Sequence, residues 1–134
     1  MTMSNLHPGF ILIAVGLIAL FVPKSLRRPV LAAGPLLGLG AVLTLAPGTN
    51  ATLPFINGIT LHYLHVDALS WIFALIFCMM AAIGGIYACH NSNRMEAFCS
   101  MTYAGSALGV TLAQDWLTLI FFSELMAATS LFLI

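Results

Sequence analysis

The sequence predicts an all-α integral membrane fold of five transmembrane helices, with a short extracytoplasmic β-hairpin between the second and third. Three observations carry that reading. Hydrophobic residues make up 61% of the chain and charged residues only 6%; an ordinary soluble domain has about 25% charged, so a water-facing surface could not be covered here. The apolar residues fall into five runs, each near the ~20 residues that cross a hydrocarbon core. The four Lys and Arg residues lie only in the connections after the first and third runs, as the positive-inside rule arranges them. With a formal net charge of zero and no basic patch, nucleic acid is excluded as an obvious partner. The whole of 1–134 reads as a single membrane domain.

The first span is read over 8–23. Pro8 suits a first helical turn and Pro23 a stop. A secretory signal peptide carries its positive charge before the apolar run; here Lys24, Arg27 and Arg28 come after it. That places the N-terminus outside and the connection 24–28 in the cytoplasm. The second span, 29–46, contains Gly34, Pro35 and Gly38, which are tolerated in lipid and whose small residues let another helix approach closely.

Pro47-Gly48 ends that helix. Asn57-Gly58 follows between the short arms 52–56 and 59–65, a hairpin signal because both residues accept positive φ. Asn50-Ala51-Thr52 matches a glycosylation triplet, but its use is not expected. His62 and His65 are three apart; on a regular strand they point to opposite faces and do not share a metal. They are read as interfacial. Asp67 is read as the N-cap of the third span, 68–89, with Trp71 and Tyr87 as interfacial aromatics at its two ends. Gly84-Gly85 signals a close contact or a bend.

The connection containing Arg94 then falls on the cytoplasmic side by counting spans. The fourth span, 95–113, opens with Glu96 in its first turn, where the helix dipole favours an acid. Its Gly105-x-x-x-Gly109 face, with Thr102, Ser106 and Ala113, is expected to pack on a neighbour. Gln114-Asp115 forms an outer turn, Asp115 caps the fifth span, 116–134, and Trp116 anchors it. Cys78, Cys89 and Cys99 lie in apolar runs without C-x-x-C spacing and read as small buried hydrophobes. No nucleophile–base pair, phosphate loop or cofactor motif is present, so no cofactor or metal is expected.

The candidate site residue is Glu124. It lies about 12 Å down the fifth helix from Trp116 at ~1.5 Å per residue, near the middle of a core ~30 Å thick. An acid there costs roughly 2.5 kcal/mol or more, so such residues usually face a bundle interior and mark an ion path. Ala127 and Ala128, one turn away, leave room for a helix or water, and Ser123 and Ser130 add a slightly polar stripe. Burial favours the protonated form of a carboxyl group and a nearby cation favours the ionised form. Moving a cation toward or away from Glu124 would therefore switch its protonation, a proton relay without covalent chemistry.

VDALSWIFAL at 66–75 and AQDWLTLIFFSELMAATSLFLI at 113–134 resemble the antiporter-like subunits shared by Mrp-type multi-subunit cation/proton antiporters and respiratory complex I. The resemblance is to the D-type subunit of the former and to the related M-type proton-pumping subunit of the latter. It covers most of the chain in the same order. It implies a subunit of about fourteen helices built on two inverted five-helix repeats, a common transporter plan, of which this chain supplies the first five helices. It implies proton translocation, in monovalent cation antiport or in a redox-driven NADH-quinone oxidoreductase, from the inner (plasma) membrane. Glu124 matches the F-F-x-E-L-M glutamate, which pairs with a lysine on a later helix and transfers protons. The implied partners are the bilayer, the remaining helices of the same subunit, other membrane subunits, protons and Na+. The only lysine here is Lys24, in a connection, so the chain alone is not expected to translocate ions. The fifth run reaches Ile134 with no connection after it, and the chain is expected to be part of a larger subunit. Two other readings fit less well: an assembly subunit in which Glu124 forms a static pair, and a small drug/proton exporter, whose glutamate belongs in its first helix.

Overall fold

Proline sets the edges of the first helices. In the computed structural model, which describes residues 7–48, 50–54, 56–90 and 93–134, α1 runs Pro8–Phe21. Pro8 occupies the first turn, where its missing N–H costs nothing. Val22, next to Pro23, is extended and ends the helix, because the residue before a proline disfavours helical backbone. α2 runs Lys24–Thr44, five residues earlier than the expected start at Pro29. The connection expected at 24–28 is thus the opening of α2. Lys, Leu and Arg are good helix formers, and Pro29 so near the start forfeits only one backbone bond. α3 spans Ala68–Ala88, α4 Arg94–Leu112 and α5 Trp116–Leu133.

Three of these helices, α2, α3 and α5, are long and apolar enough to cross a membrane. α1 is apolar but has 14 residues, about 21 Å at 1.5 Å per residue. α4 falls outside that group and carries Arg94 and Glu96 in its first turn. The expectation for the N-terminal tail concerns residues 1–6, which, like 91 and 92 in the α3–α4 connection, lie outside the described residues.

Between α2 and α3, strands β1 (Asn50–Pro54) and β2 (Thr60–His65) pair antiparallel. The turn joining them places Asn57 and Gly58 at φ +62° and +80°, the left-handed region these residues tolerate best. The register slips between Ala51 and Thr52: Ala51 pairs with Leu64 but Thr52 with His62, leaving Tyr63 as the extra residue of a β-bulge. This corrects the reading of the two histidines. His62 and His65 stand opposite Thr52 and Asn50, two apart on β1, and so share one face of the ribbon. A bulge defeats a spacing argument that assumes unbroken alternation.

The helices are arranged as a ring and an appendage. α1 packs on α2, α2 on α3, α3 on α4, and α4 returns to α1; α5 lies against α4. Small side chains line several of the helix contacts. α3, for instance, buries Ala74, Cys78, Ala82 and Gly85, while Ile72, Met80, Ile83 and Ile86 are exposed. Large apolar residues outside and small ones between helices is how helices associate when the solvent is itself apolar.

The small residues act at identifiable places. Gly34 and Gly38 of α2 receive Val15 and Leu12 of α1. The Gly105-x-x-x-Gly109 face divides between two neighbours. A Cβ on Gly105 would sit 2.6 Å from the Gly9 carbonyl of α1, and one on Gly109 would sit 2.3 Å from the Phe122 ring of α5. Gly85 faces Leu31 O of α2 at 2.8 Å from its would-be Cβ, and Pro35, four residues on, has no N–H to bond that carbonyl. Gly84, beside it, meets nothing within 4 Å. Cys78 and Cys99 are buried, as expected, but Cys89 is half-buried. Its thiol donates to Gly85 O (3.0 Å) and Arg28 O (3.2 Å).

Candidate functional site

α5 is apolar nearly all round, so its sequence does not say which face is buried. The structure answers with Thr118, Phe122 and Thr129. At 3.6 residues per turn Glu124 lies roughly 120–160° from each of these, and it is exposed, as are Ala127 and Ala128. The expectation that Glu124 faces the bundle interior therefore does not hold for these five helices. The carboxylate sits on the outer surface of the appended helix, in a field of exposed Leu117, Ile120, Phe121 and Leu131. The physical reason is local: Gly109 makes a socket for the Phe122 ring, and seating that ring on α4 turns Glu124 outward. Ser123 and Ser130 are half-buried, and the Ser130 hydroxyl donates back to Ala127 O at 2.8 Å. α3 and α5 leave an apolar groove of about 510 Å³ along α4, lined by Phe77, Met80, Met101, Tyr103, Ala104 and Met126.

At the ribbon end of the molecule, side chains bind the elements together. Asp115 and Asp67 stand at the N-cap positions of α5 and α3, but neither makes a capping bond. The Asp115 carboxylate accepts the His62 backbone N–H from β2. The Asp67 carboxylate pairs with His65 Nε2 at 2.6 Å, and His65 Nδ1 contacts the Asn50 side chain. Both acids fasten the ribbon to the helices rather than cap them, a role that needs the tertiary fold to be seen. The Trp71 indole N–H likewise ties elements together, donating to Val42 O, 3.1 Å away in the last turn of α2. Tyr87 and Trp116 are 89% and 82% exposed. Replacing Asp115 by Ala is expected to leave the part-buried His62 N–H without its acceptor, at about 1–3 kcal/mol. Hydrogen exchange should then speed up across β2 while the cores of α1 and α4 stay protected.

His7 was not singled out in the sequence, yet it is fully buried. Its Nδ1 accepts the Gly9 N–H at 3.0 Å, capping α1. Its ring stacks on Phe122 (centroids 5.5 Å, interplanar angle 23°) and lies edge-on to Phe10. His7-Pro8 is the usable signal, a polar residue directly before a proline in a first turn. Burial pushes the imidazole down to about 4, from 6.5. His7 thus stays neutral in the fold where an unfolded chain would take a proton. Its contribution to stability is complete above about pH 6.5 and is lost as pH falls toward 4, by about 3 kcal/mol in all. The thermal midpoint in detergent should drop over that window, and His7→Asn, which keeps a capping side chain, should flatten the drop.

These features define a class: a helical bundle with candidate membrane-crossing helices and one carboxylate on the outer face of its peripheral helix. Comparison with known family models, curated proteins and solved structures gives no match.

Proposed function

We propose that the chain is part of an antiporter-like, proton-translocating membrane subunit, with Glu124 as its proton-transfer carboxylate. All five helices cross the bilayer, the ribbon lies outside and the Lys/Arg end inside. The coupling is either monovalent cation/proton antiport of the Mrp type or redox-driven pumping in a complex I-like assembly. The motif resemblance around 66–75 and 113–134 supports this reading. The observation that carries it is the F-F-x-E-L-M match at Glu124; the exposure of Glu124 among apolar side chains runs against an interior acid and obliges the reading to supply a cover. A carboxylate turned to lipid near the bilayer centre costs roughly 2.5 kcal/mol or more, so its face is covered in the working assembly by something polar or cationic. Ala127 and Ala128 leave space beside the carboxylate for that cover. Further helices of the same subunit, or a neighbouring membrane subunit, supply the cover and the cation that switches the proton.

The same exposure also favours a second reading, in which Glu124 makes a static contact that only assembles the complex. Glu124→Gln separates the two. It retains hydrogen-bonding capacity and removes the titrating group. In the intact assembly, proton relay predicts lost flux with the subunits still co-purifying. A static role predicts that flux survives in assembled complexes and that Glu124→Ala releases the partner.

A further inference from the structure

Away from α5, the opposite end of the molecule carries a second site. The first turns of α2, the residues just after α3 and the N-cap of α4 border a recess of about 50 Å³, whose lining includes Lys24, Arg27, Arg28, Cys89, His90 and Asn93. We propose that this recess binds the phosphate of an anionic phospholipid headgroup.

Four observations converge on it. Three of the chain's four Lys and Arg residues line the recess, and no carboxylate does. Two helix N-termini border it, through Lys24 of α2 and Asn93 before α4, and among the described residues the N-cap side chains of Pro23 and Asn93 make no capping bond. The positive ends of two helix dipoles therefore add to the three cations. Arg27 is only 5% exposed, so part of this charge is held within the protein, where screening by salt is weaker. Finally, Phe21, Leu26, Tyr87 and Met95, within a few residues of the lining, are exposed and offer an apolar rim for acyl chains. That rim favours a lipid over a free anion, since basic pockets between helices at a membrane surface suit lipid headgroups. The inference needs only a membrane at this end of the bundle, so it stands or falls separately from the role of Glu124.

The test uses the full chain in nanodiscs of phosphatidylcholine with and without phosphatidylglycerol, and in detergent with millimolar inorganic phosphate. Retained lipid is counted by native mass spectrometry and stability is followed by the thermal midpoint. Phosphatidylglycerol should be retained in preference to phosphatidylcholine and should raise the midpoint. Lys24→Gln and Arg28→Gln should each weaken its retention about fivefold, while Lys24→Arg and Arg28→Lys keep it and control for folding. Arg94→Gln, whose side chain is not in the lining, should weaken retention less than Arg28→Gln does. Equal retention of the two lipids would overturn the proposal, as would a loss in Arg94→Gln as large as in Arg28→Gln. A response to inorganic phosphate without one to phosphatidylglycerol would overturn the lipid assignment and leave an anion site.

Discussion

Glu124→Gln is expected to reduce proton flux through the intact assembly about a hundredfold or more, the usual scale for removing a positioned proton-transfer group. The substitution is nearly isosteric, and the side chain lies on the outer face of α5, away from the buried Thr118, Phe122 and Thr129. Packing within the five helices should therefore be unchanged, and the thermal midpoint of the isolated chain with it. Glu124→Asp, which keeps the acid but draws it back by a methylene, should retain part of the flux, whereas Glu124→Gln retains none above background. Flux is read in vesicles from a pH-sensitive dye, on complexes shown to contain every subunit. Undiminished flux in Glu124→Gln would remove the proton-transfer role.

The second large effect is on stability, at the crossing of α1 and α4. A Cβ added to Gly105 would lie 2.6 Å from Gly9 O and 2.8 Å from Ile13 Cγ1, and one added to Gly9 would lie 2.5 Å from Gly105 O. The obstruction is backbone on both sides, so no rotamer relieves it and the helices must separate. Gly105→Ala should cost about 1–3 kcal/mol net, since overpacking outweighs the gain of about 1 kcal/mol in helix propensity. Gly105→Leu should abolish the folded bundle. Gly40→Ala and Gly84→Ala provide the contrast. Nothing lies within 4 Å of either added Cβ, so only the propensity gain remains, and both variants should be as stable as the parent or slightly more so. Unfolding midpoints in detergent measure all four. Equal losses at Gly84 and Gly105 would mean that close approach at the crossing is not what these glycines provide.

The contrast between Gly105 and Glu124 shows where sequence reasoning reaches and where it stops. Small residues four apart on an apolar helix have one plausible use, so the packing role of Gly34, Gly38, Gly105 and Gly109 was legible. That one pair serves two different neighbours, α1 and α5, was not, because spacing gives a face and not its occupants. The opening of α2 was missed for a related reason. Hydropathy sees Lys24, Arg27 and Arg28 as leaving the membrane, which does not prevent them from being helical. Spacing puts Asp67, Asp115 and Trp71 at the right helix ends but suggests only local roles for them. Their partners, His65, His62 and Val42, come from elements that only the fold brings near. Alternation along β2 breaks at the Tyr63 bulge, which has no sequence signal of its own. The depth of Glu124 along α5 followed from counting residues. The side it faces did not, because an evenly apolar helix carries no periodic mark of its buried stripe.

If Glu124 transfers protons, its face of α5 is covered in the working membrane. A spin label at Glu124→Cys, placed in the isolated chain and in the intact assembly in turn, tests it through collisions with lipid-dissolved oxygen and with a water-soluble relaxation agent. The account predicts strong oxygen contact in the isolated chain and a marked loss of it in the assembly. Oxygen contact that persists undiminished in the assembly, or easy access by the water-soluble agent from the bulk in the isolated chain, would contradict it.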